Sequence, residues 1–251
     1  MDDITRNRKQ TLLQGVNMNS YGLEIGPSFR PIAPKKEGYK VKVIDYTSEK
    51  VLRKKYGEHG IDISEIEEVD YIWNGENFKD LMGRCVFDWI LASHVLEHVP
   101  DLISFLKNCE DVLKPGGIIN LAIPDKNYCF DHNRQYSALS RIIDIHESKC
   151  KIQTVGAAAE YFLTVCKKNG IIAWDSKTVG ELENVHTLED ALHAISQTRE
   201  GVYLDIHNWV FEPNSFNDII QKLKLLKYIN LEIKEISATV GHEFFVTLFK
   251  K

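Results

Sequence analysis

Residues 22–46 read GLEIGPSFRPIAPKKEGYKVKVIDY. The spacing predicts a short apolar strand, Tyr21 to Ile25, that carries Glu24 near its end and runs into Gly26. Pro27, Pro31 and Pro34 oppose regular helix, so the chain stays irregular as far as Tyr39. A second strand, VKVID, then ends on the Asp45 carboxylate. In a doubly wound sheet, ligands sit outside the carboxyl ends of the strands, where strand order reverses and the first loop lets backbone approach the ligand. Gly26 supplies that close approach. An acid at the tip of the second strand is placed to accept hydrogen bonds from both hydroxyls of a ribose. Glu24, Gly26 and Asp45 are therefore candidate contacts of a nucleoside. After Gly26 come Pro27, Ser28, Phe29, Arg30 and Pro31, with no second glycine before Gly38. The G-x-G-x-x-G spacing that cradles a pyrophosphate is absent, which argues against a dinucleotide.

Working outward, residues 4 to 18 place Leu12, Leu13 and Val16 at helical spacing, as a short helix over the site entrance. After the second strand, Thr47 and Ser48 are N-caps for a helix SEKVLRKKYG that Gly57 would end. Asp70 to Trp73 reads as a third strand followed by a polar turn at Asn74, Gly75 and Glu76. The fourth strand, DWILAS, is nearly all apolar, as expected of a strand covered on both faces. Ser93 and His94 stand at its end. Asp101 is placed to cap the helix LISFLKNCEDVLK, which Pro115, Gly116 and Gly117 would break before a fifth strand, IINLAIP. From Asp125 to about Asp205 an insertion holds two helical stretches, SALSRIIDIHES and VGAAAEYFLTVCKK, and a polar region with His186 and His193. A helix from Ser215 to Leu226 and strands near 229–236 and 243–249 close the chain.

Taken in this order, LEIG, VKVIDY and FDWILASHVLEHVPDLISFLKNCEDVLKPGGIINLAIP resemble the motifs of class I S-adenosylmethionine-dependent methyltransferases, over roughly residues 20 to 125. PDKNYCFDHNR and DIHNWVFEPNSF are similar to segments of bacterial methyltransferase-like proteins tied to surface-polysaccharide synthesis. The resemblance implies an α/β, Rossmann-like, doubly wound, seven-stranded and mostly parallel sheet whose last two strands form an antiparallel pair. It implies one domain over 1–251, with 125–210 as a helical substrate lid. The implied cofactor is S-adenosylmethionine, held by Glu24, Gly26, Pro27, Ser28, Asp45, Tyr46, Asn74, Gly75, Ser93, His94 and His98.

Methyl transfer to a hydroxyl needs in-line positioning and removal of a proton. His207 and His132 fall where the family builds its acceptor pocket, so each is a candidate base, with Asp131 beside them. The bland alternatives are a loop-carbonyl bond for His132 and pairing with Asp205 for His207. Asp125, Arg134 and Trp209 are candidate contacts for a small-molecule or glycan acceptor, against the commoner fate of turn residues and a salt bridge for the charged ones. Some methyltransferases hold a divalent ion on an ExxEH segment. Here Ser93 or His94 stands where the first Glu would be, so no metal is expected, and a metal-dependent O-methyltransferase, with His94 and His98 on one face if both are helical, is the alternative. A rival from another class is a non-catalytic module that kept the sheet and lost the chemistry.

Composition narrows the partners. A net charge of -5 with lysines scattered among glutamates leaves no basic stripe for nucleic acid. Five widely spaced cysteines, odd in number and without a C-x-x-C pair, suit a reducing compartment. No apolar run reaches the length of a membrane span and the N-terminus lacks an apolar signal core, so a cytoplasmic location is expected.

Overall fold

The computed structural model describes residues 3–251. Its centre is the strand FDWILAS, β4 (Phe87–Ser93), in which Trp89 and Leu91 point to one face and Ile90 and Ala92 to the other. Both faces must then be covered, which is why Trp89 to Ala92 read as an unbroken apolar run. β1 (Gly22–Ile25) pairs parallel with β4 on one side and with β2 (Val41–Asp45) on the other. β3 (Tyr71–Ile72) adds to β2, and β5 (Leu113–Pro124) runs parallel to β4. β9 (Glu243–Lys250) and β8 (Leu231–Ile236) complete the sheet as an antiparallel pair. The order β3-β2-β1-β4-β5-β9-β8 makes a seven-stranded, mostly parallel sheet. Strand order reverses between β1 and β4, and the ends of β1, β2 and β4 lie around that point.

One face packs Leu23, Ile25, Ile90 and Ile119 against α4 (Leu102–Val112) and α8 (Pro213–Leu225). The other face, built on Trp89, Leu91, Val41 and Ala122, receives α1 (Asp3–Leu12) through Leu12, with Ile32 and Ala33 beside it. Buried Asn120 of β5 fixes α1 by donating to the carbonyls of Leu12 (2.8 Å) and Gln14 (2.9 Å). Asp101 caps α4 by accepting from Ser104 N at 2.9 Å, as its position before an apolar period suggested.

Several boundaries differ from the sequence reading. α4 stops at Val112, and Leu113 to Gly117 join β5 around a break in register against β4, so the Pro-Gly-Gly run shapes a bulged strand start rather than a helix end. α2 (Glu49–Glu58) runs through Gly57, and the left-handed glycine beyond it is Gly60. A short helix α3 (Phe78–Met82) follows the turn at 74–77. Between β5 and α8 lie α5 (Leu139–Glu147), α6 (Val155–Thr164), a hairpin of β6 (Cys166–Lys168) and β7 (Leu182–Asn184), and α7 (Leu188–Arg199). The CKK end of the expected second helix is thus strand, and the polar region around His193 is a third helix. Among the described residues no helix is long and apolar enough to cross a membrane.

Candidate active site

At the end of β1 the backbone turns at Gly26, whose φ of 60° lies in the left-handed region. A Cβ there would stand 3.0 Å from Val95 Cγ2, so only glycine leaves this cradle open. Pro27 opens a tight turn, with Arg30 N donating to Pro27 O, and Ser28 also takes a positive φ of 56°. Ser28 Oγ bonds the hydroxyl of Tyr56, which anchors the loop to α2. Asp45, buried at the tip of β2, accepts from Tyr46 N at 2.8 Å and only weakly from Ser28 N at 3.4 Å. Burial pushes its carboxyl above the usual range, against those two hydrogen bonds. Its remaining acceptor capacity and the open cradle at Gly26 fit a ribose and the tail of a nucleoside cofactor.

Glu24 has a different task. Its two oxygens accept from Ile32 N (2.6 Å) and Ala33 N (3.1 Å), and burial pushes its pKa up to about 7. It braces the proline-rich loop from within. Tyr46 is exposed and takes Lys55 Nζ on its hydroxyl at 2.9 Å. Asn74 and Gly75 form an exposed turn closed by Glu76, which accepts from Asn74 N and Trp73 Nε1.

The segment after β4 is a turn, not a helix. His94 has a φ of 53°, and Ser93 Oγ accepts from Arg8 Nη2 at 2.5 Å. His94 and His98 therefore do not share a helix face; they belong to separate clusters. His94 Nε2 lies 2.8 Å from Glu243 Oε2, beside His242, and Arg8 clasps the same carboxylate from α1. Burial alone would lower the His94 pKa, but Glu243 and Glu97 raise it to about 9.

The second cluster joins Glu97, His98 and His207. Asn208 N and Trp209 N both donate to Glu97 O, at 2.7 and 3.1 Å, which pins the 205–211 segment onto the turn. His207 Nδ1 is 2.5 Å from Asp131 Oδ2, so its partner is Asp131 rather than the neighbouring Asp205. Asp205 Oδ1 instead lies 2.9 Å from His98 Nδ1. Asp131 also takes Arg134 Nη1 at 2.8 Å. Burial would raise the Asp131 pKa, but His207 and Arg134 hold it below the usual carboxylate range. With Nδ1 engaged by a carboxylate, His207 keeps Nε2 bare toward Glu97 Oε1, 3.9 Å away.

Other candidates are occupied inside the protein. His132 Nδ1 sits 3.0 Å from Asn127 O and its ring packs on Trp174, outside the cluster. Asp125 caps the turn at 126–128 through Asn127 N and accepts Thr239 Oγ1. Arg134 is wholly buried between Asp131 and the carbonyl of His207. Trp209 belongs to the hydrophobic core and donates to Val99 O, with Arg141 over its ring, instead of lining an open acceptor wall. The sequence reading missed Arg8, Glu243 and the roles of Glu97 and Asp205. An acid opening the otherwise apolar run EFFVTLF was the one signal for Glu243.

Residues 22–119 match the family described as "Methyltransferase domain". A ubiquinone biosynthesis O-methyltransferase of Bradyrhizobium sp. (strain ORS 278) is 40% identical over 50 residues, 20% of each chain. The chain thus spans about a fifth of the length of the curated relative it matches. Among solved structures, a Rhodobacter sphaeroides protein provisionally named a Zn-dependent alcohol dehydrogenase aligns over 98% of this chain and 90% of its own, with 10% identity and a TM-score of 0.55. That is a likeness of fold alone. A SAM-dependent methyltransferase from Methanosarcina mazei aligns over 100% and 98%, at 16% identity and a TM-score of 0.46.

Proposed function

We propose that the chain is an S-adenosylmethionine-dependent methyltransferase that methylates a hydroxyl of a small molecule or glycan. The observation that carries this reading is the pairing of Asp131 with His207 Nδ1 at 2.5 Å, with His207 Nε2 3.9 Å from Glu97 in the turn after β4 whose Val95 lies against Gly26. Asp45 would hold the ribose; Gly26, Pro27 and Ser28 the tail; Asn74 and Gly75 the base; Ser93 and His94 would border the reacting end. S-adenosylmethionine, bound there, supplies a sulfonium-activated methyl group, so that the acceptor oxygen gains the methyl and a neutral thioether leaves.

The protein's own task is to place the acceptor hydroxyl and to dispose of its proton. Asp131 fixes the His207 tautomer with hydrogen on Nδ1, and the Nε2 lone pair is where the proton leaves the hydroxyl. Residues 125–210 bring both Asp131 and His207 to this point, which suits a substrate lid within a single domain. The O-methyltransferase relative supports an oxygen acceptor. Five cysteines without a disulfide suit the cytoplasm.

Calorimetry with S-adenosylmethionine tests the reading. Binding by the wild type and a loss of about 100-fold in Asp45→Ala are expected, the size of removing two charge-assisted hydrogen bonds. A folded wild-type chain that shows no binding would overturn it.

A further inference from the structure

α7 packs inward through small side chains, Ala191, Ala194 and Thr198, and leaves Leu188 (66% exposed) and Leu192 (58% exposed), one helical turn apart, in water. A helix that covered only its own core would do the reverse. The hairpin beside it follows the same pattern. All three residues of β7 are exposed, and Val179, Leu182 and Val185 stand out from its surface, Val179 at 87%. Lys168 pairs with Leu182 and also bridges to Ile171, so exposed Ile171 and Ile172 extend the same surface. Asn169 Nδ2 donates to Val179 O at 2.7 Å and holds that end against the hairpin.

We propose that this face joins two copies of the chain in a two-fold dimer, with β7 pairing edge to edge with its counterpart and Leu188 and Leu192 in the contact. These seven aliphatic side chains expose on the order of 600 Å², the upper end of what a monomer leaves bare in one patch and near the roughly 800 Å² that each partner gives to a standard interface.

The strand edge says what covers the face. Among the described residues the two-stranded sheet holds β6 and β7 alone, so β7 has a neighbour on one side only. Val185 N donates to Val165 O on the β6 side, and strand alternation therefore turns the N–H groups of Leu182 and Asn184 outward. A bare edge flanked by exposed aliphatic side chains is a template for another strand. A second copy fits it: a two-fold axis through Asn184 sets Glu183 opposite Val185 and brings no like charges face to face. An axis through Leu182 would oppose Glu181 to Glu183, which selects the register on Asn184. The surrounding charges have both signs, Lys167, Lys168 and Lys177 against Glu181, Glu183, Glu189 and Asp190. A two-fold can match such charges in pairs, whereas an anionic lipid surface would meet more acids than bases. Hairpin and α7 both belong to the insertion between β5 and α8, so the contact couples the insertions of the two copies. It does not depend on the methyl-transfer reading.

Sedimentation velocity of the full chain over a concentration series tests the contact. A two-chain species with a Kd of about 1 µM or tighter is expected, as for a standard interface. Leu188→Glu and Leu192→Glu, at exposed helix positions, should each weaken it at least ~30-fold, because each buries an unpaired charge against apolar surface. Asn184→Pro removes an outward donor and spares the bonds to β6, so it should weaken association about as much while the thermal midpoint of dilute protein holds. A wild type that stays monomeric up to ~100 µM would overturn the dimer, and so would a Kd unchanged in the folded variants. Leucine variants that dissociate while Asn184→Pro does not would overturn the edge pairing and the two-fold built on it. Monomers that instead bind phosphatidylglycerol vesicles through Leu188 and Leu192 would assign the face to a lipid surface in place of a second copy.

Discussion

Asp131 and His207, 76 residues apart in sequence, meet at 2.5 Å between Oδ2 and Nδ1. The other Asp131 oxygen takes Arg134 Nη1, and the same Nη1 donates to the His207 carbonyl at 2.7 Å. Asp131 therefore positions His207 through its side chain and, by way of Arg134, through its backbone. In Asp131→Asn the imidazole loses its anionic partner and tautomer control, so kcat for methylation of a hydroxyl acceptor should fall roughly 100-fold or more, with KM for S-adenosylmethionine nearly unchanged. Stability should fall by about 3 kcal/mol, because the buried Arg134 charge loses its closest counter-ion. Assay of S-adenosylhomocysteine release and a thermal melt check both; an unchanged kcat would remove Asp131 from the mechanism.

Glu24 makes stability depend on pH in an unusual direction. Burial raises its folded pKa from 4.5 to about 7, against the two backbone bonds that favour the anion. The folded chain therefore holds a proton that the unfolded chain gives up between those values. Its contribution falls as pH rises from about 4.5 to 7 and is level above, a change on the order of 3 kcal/mol. Glu24→Gln has no proton to lose there. Urea unfolding of both proteins across pH 4.5 to 7.5 should show wild-type stability declining relative to the variant; parallel curves would refute the assignment.

The sheet and its reversal point were legible because β1, β2 and β4 are short apolar runs ending in Gly26, Asp45 and Ser93, and each end has a distinct chemical mark. α7 was not, since its buried face is only Ala191, Ala194 and Thr198 on an otherwise polar helix. Its start was nonetheless written in TLED, where Thr187 and Asp190 cap each other reciprocally. The site was half legible. Sequence proximity favoured Asp205 for His207, whereas the fold returns Asp131 to it. No local pattern links Arg8 to Glu243, which meet only because α1 packs beside β9.

Gly22, inside the strand expected over Tyr21 to Ile25, sits under the indole of Trp89. A Cβ on Gly22 would lie 2.1 Å from Trp89 Cζ2, and the fully buried ring has no space to retreat into. Gly22→Ala should cost about 3 kcal/mol, at the upper end of overpacking penalties. Trp89→Leu in the same chain should recover part of that loss, since the two changes share one contact. Denaturant midpoints for the single and double variants measure the coupling; strictly additive losses would show that the clash is not the cause.

Arg8 fastens the first helix over the sheet edge. Its Nε lies 2.6 Å from Glu243 Oε1, and its Nη2 reaches Glu243 Oε2 at 3.0 Å and Ser93 Oγ at 2.5 Å. Burial would raise the Glu243 pKa, but His94 and Arg8 pull it down to about 2. Because the folded pKa lies below the unfolded value near 4.5, the stabilisation is complete above that value and is lost as pH falls toward 2. Arg8→Gln should cost about 2 kcal/mol at neutral pH, discounted for the part-exposed guanidinium. The gap between wild type and variant should hold from pH 7 to 5 and narrow below 4.5. Amide exchange should quicken across residues 6–12, where α1 depends on this contact and on Asn120, and stay slow in β4 and β5. A gap that widens on acidification, or exchange that quickens throughout the sheet, would show that Arg8 does not act as the fastening of α1.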